Sequence, residues 1–194
     1  MRDARPSTYA ALFGAVWGAL EATVGTAVHL GNLPLRGTIM GLLGLLCLVC
    51  LRRLQPRPGV CLLAGVVAIF LKIFTLGGLY PGPIIGIGIQ ALVVELGLTA
   101  SGGRRVGAAI GGFLALATNP LQKIVTMWVV AGTDAVDAYF LLLEESAAAV
   151  GLPGLSAQAV IAGIVLFKGA IGLLGGLWSW SVAGRVVRRL GRRP

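Results

Sequence analysis

Gly41-Leu-Leu-Gly-Leu-Leu-Cys47-Leu-Val-Cys50-Leu-Arg52-Arg53-Leu-Gln-Pro56-Arg57-Pro58-Gly59-Val-Cys61-Leu-Leu-Ala64 is the stretch that decides how this chain folds. Two uncharged apolar runs meet at a short loop carrying three arginines and two prolines. That is the pattern of two membrane helices joined on their cytoplasmic side, because basic residues are retained there during insertion. Working outward, the pattern recurs. Twelve of the thirteen arginines occupy four places: Arg2 and Arg5; Arg52, Arg53 and Arg57; Arg104 and Arg105; Arg185, Arg188, Arg189, Arg192 and Arg193. Dividing the intervening apolar runs into six spans puts every one of these patches on one side. The other side keeps only Arg36, and its longest connection holds Asp134, Asp137, Glu144 and Glu145 without a basic residue.

Composition agrees. Of 194 residues, 57% are hydrophobic and 12% charged, and such a chain lacks the charge a water-facing surface needs. The expected fold is all-α: an integral membrane bundle of six transmembrane helices in a single domain, multi-pass in the cell membrane, with both termini cytoplasmic. The spans are placed at about 9–28, 37–51, 59–79, 84–99, 106–130 and 157–183. The first run contains Glu21 and has no small-residue cleavage site behind it, so it is expected to stay as span 1. The net charge of +9 is spread over juxtamembrane loops, which reads as topology and attraction to anionic lipid, with no nucleic acid partner.

The break between spans 3 and 4 is Gly77-Gly-Leu-Tyr-Pro-Gly-Pro83. Beyond span 5, the segment 132–158 begins polar and acidic, then turns apolar enough over Ala135–Leu143 for an interfacial helix, and Ser156 is a candidate cap for span 6. Cys47-x-x-Cys50 invites a redox or metal reading, yet both residues sit in an apolar span with no second ligand pair. Small apolar filler is the better account, and no metal site is expected.

Thirty glycines in so apolar a chain point to close helix packing, since helices in lipid gain little hydrophobic energy by touching. Span 1 is densest, with Ala11, Ala15 and Ala19 on one stripe and Gly14 and Gly18 beside it. Chemistry must then come from polar residues that the spans cannot hide cheaply. Glu21, Lys72, Gln90 and Lys123 fall in the middle or outer half, and Glu95 and Lys168 nearer the midplane. These groups are expected to face one another, and three lysines against two glutamates favour an acidic or electron-rich ligand. Lys123 and Lys168, least able to reach an interface, are the foremost ligand contacts. Asn119-Pro120 is expected to kink span 5 and free a carbonyl. His29, Asn32, Tyr80, Trp128 and Tyr139 are placed around the outer rim as a lid or stacking platform, with an interfacial aromatic belt the competing account of Tyr80 and Trp128 and a solvated helix end that of His29.

Six spans with both ends inside, the Ala11-Leu-Phe-Gly-Ala15 spacing extended by Ala15-Val-Trp-Gly-Ala19, and a polar cluster toward the outer face together resemble one family: the substrate-binding S components of energy-coupling factor (ECF) vitamin transporters. The resemblance is architectural and covers nearly the whole chain, while Ala-x-x-x-Ala in the first span is its one motif. It implies a high-affinity binder of a vitamin, a vitamin precursor or a trace nutrient, without enzymatic activity or cofactor. It further implies docking of Ala11, Gly14, Ala15, Gly18 and Ala19 on a transmembrane coupling subunit, and through it on two cytoplasmic ATPases. No Gly-x-x-x-x-Gly-Lys-Ser/Thr run exists that would place a nucleotide site on this chain.

Two other classes compete. A self-contained secondary transporter or channel would use Glu21 or Glu95 to relay protons or coordinate cations. A membrane enzyme finds little here: one histidine, no clustered aspartate motif, no nucleophile elbow and no metal-ligand spacing.

Overall fold

The computed structural model describes residues 6–30, 36–76 and 81–191, and six helices lie among them. They are α1 (Pro6–Leu30), α2 (Arg36–Leu54), α3 (Val60–Leu76), α4 (Pro81–Ala100), α5 (Arg105–Ala149) and α6 (Ala157–Gly191). Four stretches are long and apolar enough to cross a membrane: Gly37–Leu54, Pro81–Ala100, Arg105–Ala149 and Ala157–Arg189. α3 is apolar over Val60–Phe74 but shorter. The chain is thus an all-α protein with the helices of a membrane-embedded one.

The helices alternate in direction, so the described arginine patches gather at one end. Arg53 at the end of α2 donates to the Trp180 carbonyl of α6 at 2.9 Å and lies 4.1 Å over the Trp180 ring. Arg52 reaches Thr99 at the end of α4. α1 and α3 run parallel, with Gly14 against Ala64 and Val67, and Gly18 against Ala68 and Leu71. A Cβ added at Gly14 would lie 2.6 Å from the Ala64 carbonyl oxygen, so only glycine permits this approach. α5 and α6 are antiparallel and closer still, Gly112 facing Gly172 and Gly176 facing Ala108 backbone to backbone. With small residues spaced this way, dispersion contacts between backbones replace the hydrophobic drive that lipid removes.

Where the sequence suggested breaks, the helices differ in instructive ways. Pro81 and Pro83 do not delay α4 to residue 84. They occupy its first turn, where the missing N–H groups have no helical partner to lose. Pro120 lies inside α5 with helical dihedrals on both sides, and the break falls instead at Gly132, with φ 82° and ψ −174°. That conformation is essentially restricted to glycine. Beyond it the chain is helical to Ala149, well past the 135–143 segment expected from the sequence. Ser156 does cap α6, its Oγ accepting the Ala159 N–H at 3.4 Å, while Glu144 Oε1 accepts the Ala157 N–H at 2.9 Å. These contacts tie the second half of α5 to the start of α6.

The two halves of the bundle are packed unequally. Toward the arginine-bearing end, Trp17, Leu45, Leu48, Leu51, Val94 and Leu98 are fully buried, joined by Cys47, Cys50 and Cys61. Gly44 makes room for the Trp17 indole, a Cβ there meeting it at 2.8 Å. Toward the other end, polar and small side chains replace these large ones, and the bundle is hollow.

Candidate functional site

The hollow is a cavity of about 480 Å³ to which all six helices contribute. Its floor is Gln90, buried on α4, whose Nε2 donates to the Gly41 carbonyl of α2 at 2.6 Å. In lipid an uncompensated side-chain amide is costly, so this bond holds Gln90 in place beneath the cavity. On one wall, Lys72 Nζ of α3 lies 3.1 Å from Glu21 Oε2 of α1 and donates to the Glu21 carbonyl at 3.0 Å. On the opposite wall α5 supplies Asn119, Gln122 and Lys123. Asn119 Nδ2 reaches the Gly37 carbonyl at 3.5 Å, and the Gln122 amide donates to the Gly82 carbonyl in the first turn of α4. Lys168 completes the lining from α6.

Beside it lies a second hollow of about 490 Å³, bounded by the start of α4 and by α5 from Asn119 to Ala131. The break at Gly132 shapes its surroundings. A continuous helix would set Lys123 and Tyr139 about 24 Å apart. Folding back instead brings Lys123 Nζ to 4.1 Å from the centroid of the Tyr139 ring, a cation–π contact across the bend.

Six residues singled out from the sequence therefore meet around one cavity: Glu21, Lys72, Gln90, Asn119, Lys123 and Lys168. Glu95 does not join them. It sits at the arginine-bearing end, where its Oε2 accepts the Cys61 N–H at 2.9 Å, its Oε1 accepts the Thr99 hydroxyl at 2.8 Å, and Arg52 Nη1 lies 3.7 Å away. Helix phase and an available arginine decided this, and the glutamate serves as a lock between α2, α3 and α4. Trp128 is exposed and away from both linings. Asn32, Tyr80 and the side chain of His29 lie outside the described residues.

The small-residue stripe of α1 divides. Gly14 and Gly18 are buried against α3, which corrects their placement on an outward docking surface. Ala11, Ala15 and Ala19 face outward beside the exposed Leu12 and Val16. The residues without a Cβ are the ones turned toward α3, where the backbones approach most closely.

Gln122, Thr126 and Met40 are lining residues that the sequence reading passed over. A signal was present for two of them: Asn119, Gln122, Lys123 and Thr126 recur at i, i+3, i+4 and i+7, a polar stripe on one helix face.

Losing Glu95 changes the electrostatics. The cavity lining holds one carboxylate, Glu21, against three ammonium groups, Lys72, Lys123 and Lys168. Lys72 is matched by Glu21, and among the described residues neither Lys123 nor Lys168 forms a salt bridge. Lys123 is exposed and Lys168 half-buried, and such a surplus of positive charge in a concave site attracts an anion. No protein-family model, curated protein or solved structure matches this chain.

Proposed function

We propose that this chain is the membrane-embedded substrate-binding subunit of an ECF-type importer in the cell membrane, capturing an anionic vitamin, vitamin precursor or trace nutrient. The observation that carries this reading is the cavity of about 480 Å³ lined by three lysines and one glutamate at the end away from the arginines. That end faces outward if the arginines mark the cytoplasm. In this orientation all six helices cross and both termini are cytoplasmic. α1 and α3 can do so despite Glu21 and Lys72 because the pair neutralises both charges inside the bundle. The 17 residues of α3 span about 25 Å, within reach of a locally thinned bilayer.

A binding role suits this lining better than catalysis. Its polar groups are already engaged in holding helices together, apart from ammonium groups that bind anions without chemistry. The exposed alanine face of α1, at Ala11, Ala15 and Ala19, is the surface offered to the transmembrane coupling subunit, and through it to two cytoplasmic ATPases. Small outward side chains allow a partner helix to approach closely.

The test combines two measurements on the purified protein in lipid nanodiscs. A panel of vitamins and their precursors, screened by thermal shift and native mass spectrometry, is expected to yield an acidic compound that binds the wild type and is lost on Lys168→Ala. Co-expression with coupling subunits and ATPases is expected to give a complex that Ala15→Trp disrupts without altering ligand binding. A panel without any stabilising compound, together with ion or solute flux through the isolated protein in liposomes, would favour the self-contained transporter and end the proposal.

A further inference from the structure

The charged cavity and the hollow beside it share Gly82, Pro83, Asn119, Gln122 and Lys123. They are two compartments of one space, and Gln122 is the partition. Its amide bonds to the Gly82 carbonyl and lies against Gly86, where an added Cβ would sit 2.9 Å from Gln122 Oε1. The compartments differ in chemistry. On one side are Lys168 and the Lys72–Glu21 pair. On the other are Pro81, Pro83, Met127, Val130 and Ala131, relieved by the Thr126 hydroxyl, a buried oxygen without a hydrogen-bond partner. Lys123 stands at the junction and borders both.

We infer, building on the anion-binding reading above, that the ligand is a water-borne amphipathic anion: a compact anionic group held by Lys123 and Lys168, joined to an apolar ring or short chain seated in the groove between the first turn of α4 and residues 126–131 of α5. Each compartment has the size of a small-molecule site, and the pair has the polarity of such a molecule. The order of polarity along the bundle speaks against a phospholipid. Both compartments open near the first turn of α4, but only the charged one reaches down to Gln90 and Gly41, whereas the apolar groove stays at residues 81–83 and at 126–131, just before the Gly132 break. A phospholipid carries its charge at the surface and its chains in the depth, the reverse of this arrangement.

Three probes separate the two compartments: acetate for the anion alone, 5-phenylpentanoate for anion and body, and 5-phenylpentan-1-ol for the body alone. Each is titrated calorimetrically into the protein in phosphatidylcholine nanodiscs, with empty discs subtracted. The acid is expected to bind at least about tenfold more tightly than acetate or the alcohol, since burying a phenyl ring and neutralising a lysine are each large enough to give that factor. Ala131→Phe, which fills the groove from an exposed position, should erase the advantage over acetate. Lys168→Met should weaken both acids. Equal affinities for acetate and the phenyl acid, or an Ala131→Phe variant that binds like wild type, would overturn the two-compartment ligand and leave the anion reading standing. An alcohol binding as tightly as the acid would overturn the charged half. Displacement of the acid by phosphatidylglycerol in the discs would assign the space to lipid and overturn the inference. If no probe binds although the nutrient panel yields a compound, this inference alone falls; if both fail, the anion reading falls with it.

Discussion

Lys72 Nζ meets Glu21 twice, at 3.1 Å on the carboxylate Oε2 and at 3.0 Å on the backbone carbonyl. The lysine of α3 therefore neutralises a charge on α1 and also satisfies a carbonyl of that helix. Both side chains are nearly buried, 10% and 13% exposed. Removing one member of such a pair leaves an uncompensated charge, whereas removing both leaves none. We expect Lys72→Met to cost about 2–3 kcal/mol and the double variant Glu21→Leu, Lys72→Met to regain most of it. Chemical unfolding in detergent micelles, run as a double-mutant cycle, measures the coupling; additive losses would contradict a shared interaction.

Glu95 makes a different prediction because it stands at the other end of the bundle. Glu95→Ala strands the Cys61 N–H and leaves Arg52 beside no carboxylate, and should cost about 3 kcal/mol. Glu95→Gln keeps an acceptor for the N–H and should lose less. Ligand affinity of the folded protein should be unchanged in both. A variant of normal stability with weakened binding would mean that Glu95 communicates with the cavity.

At the α5–α6 crossing, Gly112 and Gly172 pack backbone against backbone. A single methyl at Gly172 has no space, and neither neighbour is a flexible side chain that could move aside. Gly172→Ala is expected to destabilise by about 3 kcal/mol, the upper end of the usual cost of overpacking a tight interior contact. Gly163→Ala is the control, since nothing lies within 4 Å of its would-be Cβ. Monodispersity and thermal midpoint in detergent should separate the two variants.

Gly132 holds the bend that brings Tyr139 to Lys123. With no neighbour within 4 Å, an alanine there meets only its own backbone strain, about 1–3 kcal/mol. Straightening the helix relieves that strain. Spin labels at the exposed positions Val125 and Leu141 should accordingly move apart in Gly132→Ala. An unchanged distance distribution would show that packing, and not the glycine, holds the bend.

Much of the helix framework was legible in the sequence. The arginine patches at 52–57 and 104–105 mark the junctions between helices, with Arg52 and Arg53 in the last turn of α2 and Arg105 opening α5, and Glu21, Lys72, Gln90, Asn119, Lys123 and Lys168 surround one cavity as their cost in an apolar bundle demands. What went unread has particular causes. Pro81 and Pro83 look like a break because proline ends helices as readily as it begins them, and only the position of the first turn distinguishes the two. Gln122 and Thr126 share one helix face with Asn119 and Lys123, but an uncharged side chain can satisfy itself on a neighbouring backbone, as Gln122 does on the Gly82 carbonyl, so its presence in a span does not by itself require a cavity. Glu95 was assigned by depth, which says nothing of the direction in which a side chain points.

The sequence by itself determined the helices and the gathering of arginines at one end, because hydropathy and charge act on each segment separately and need no knowledge of neighbours. Which glutamate meets which cation, which residues of the α1 stripe turn inward, and whether the bend falls at Pro120 or Gly132 were decided only by the tertiary structure. Those outcomes depend on helix rotation, and rotation is set by contacts between backbones far apart in the chain, such as Gly14 with Ala64 and Gly112 with Gly172.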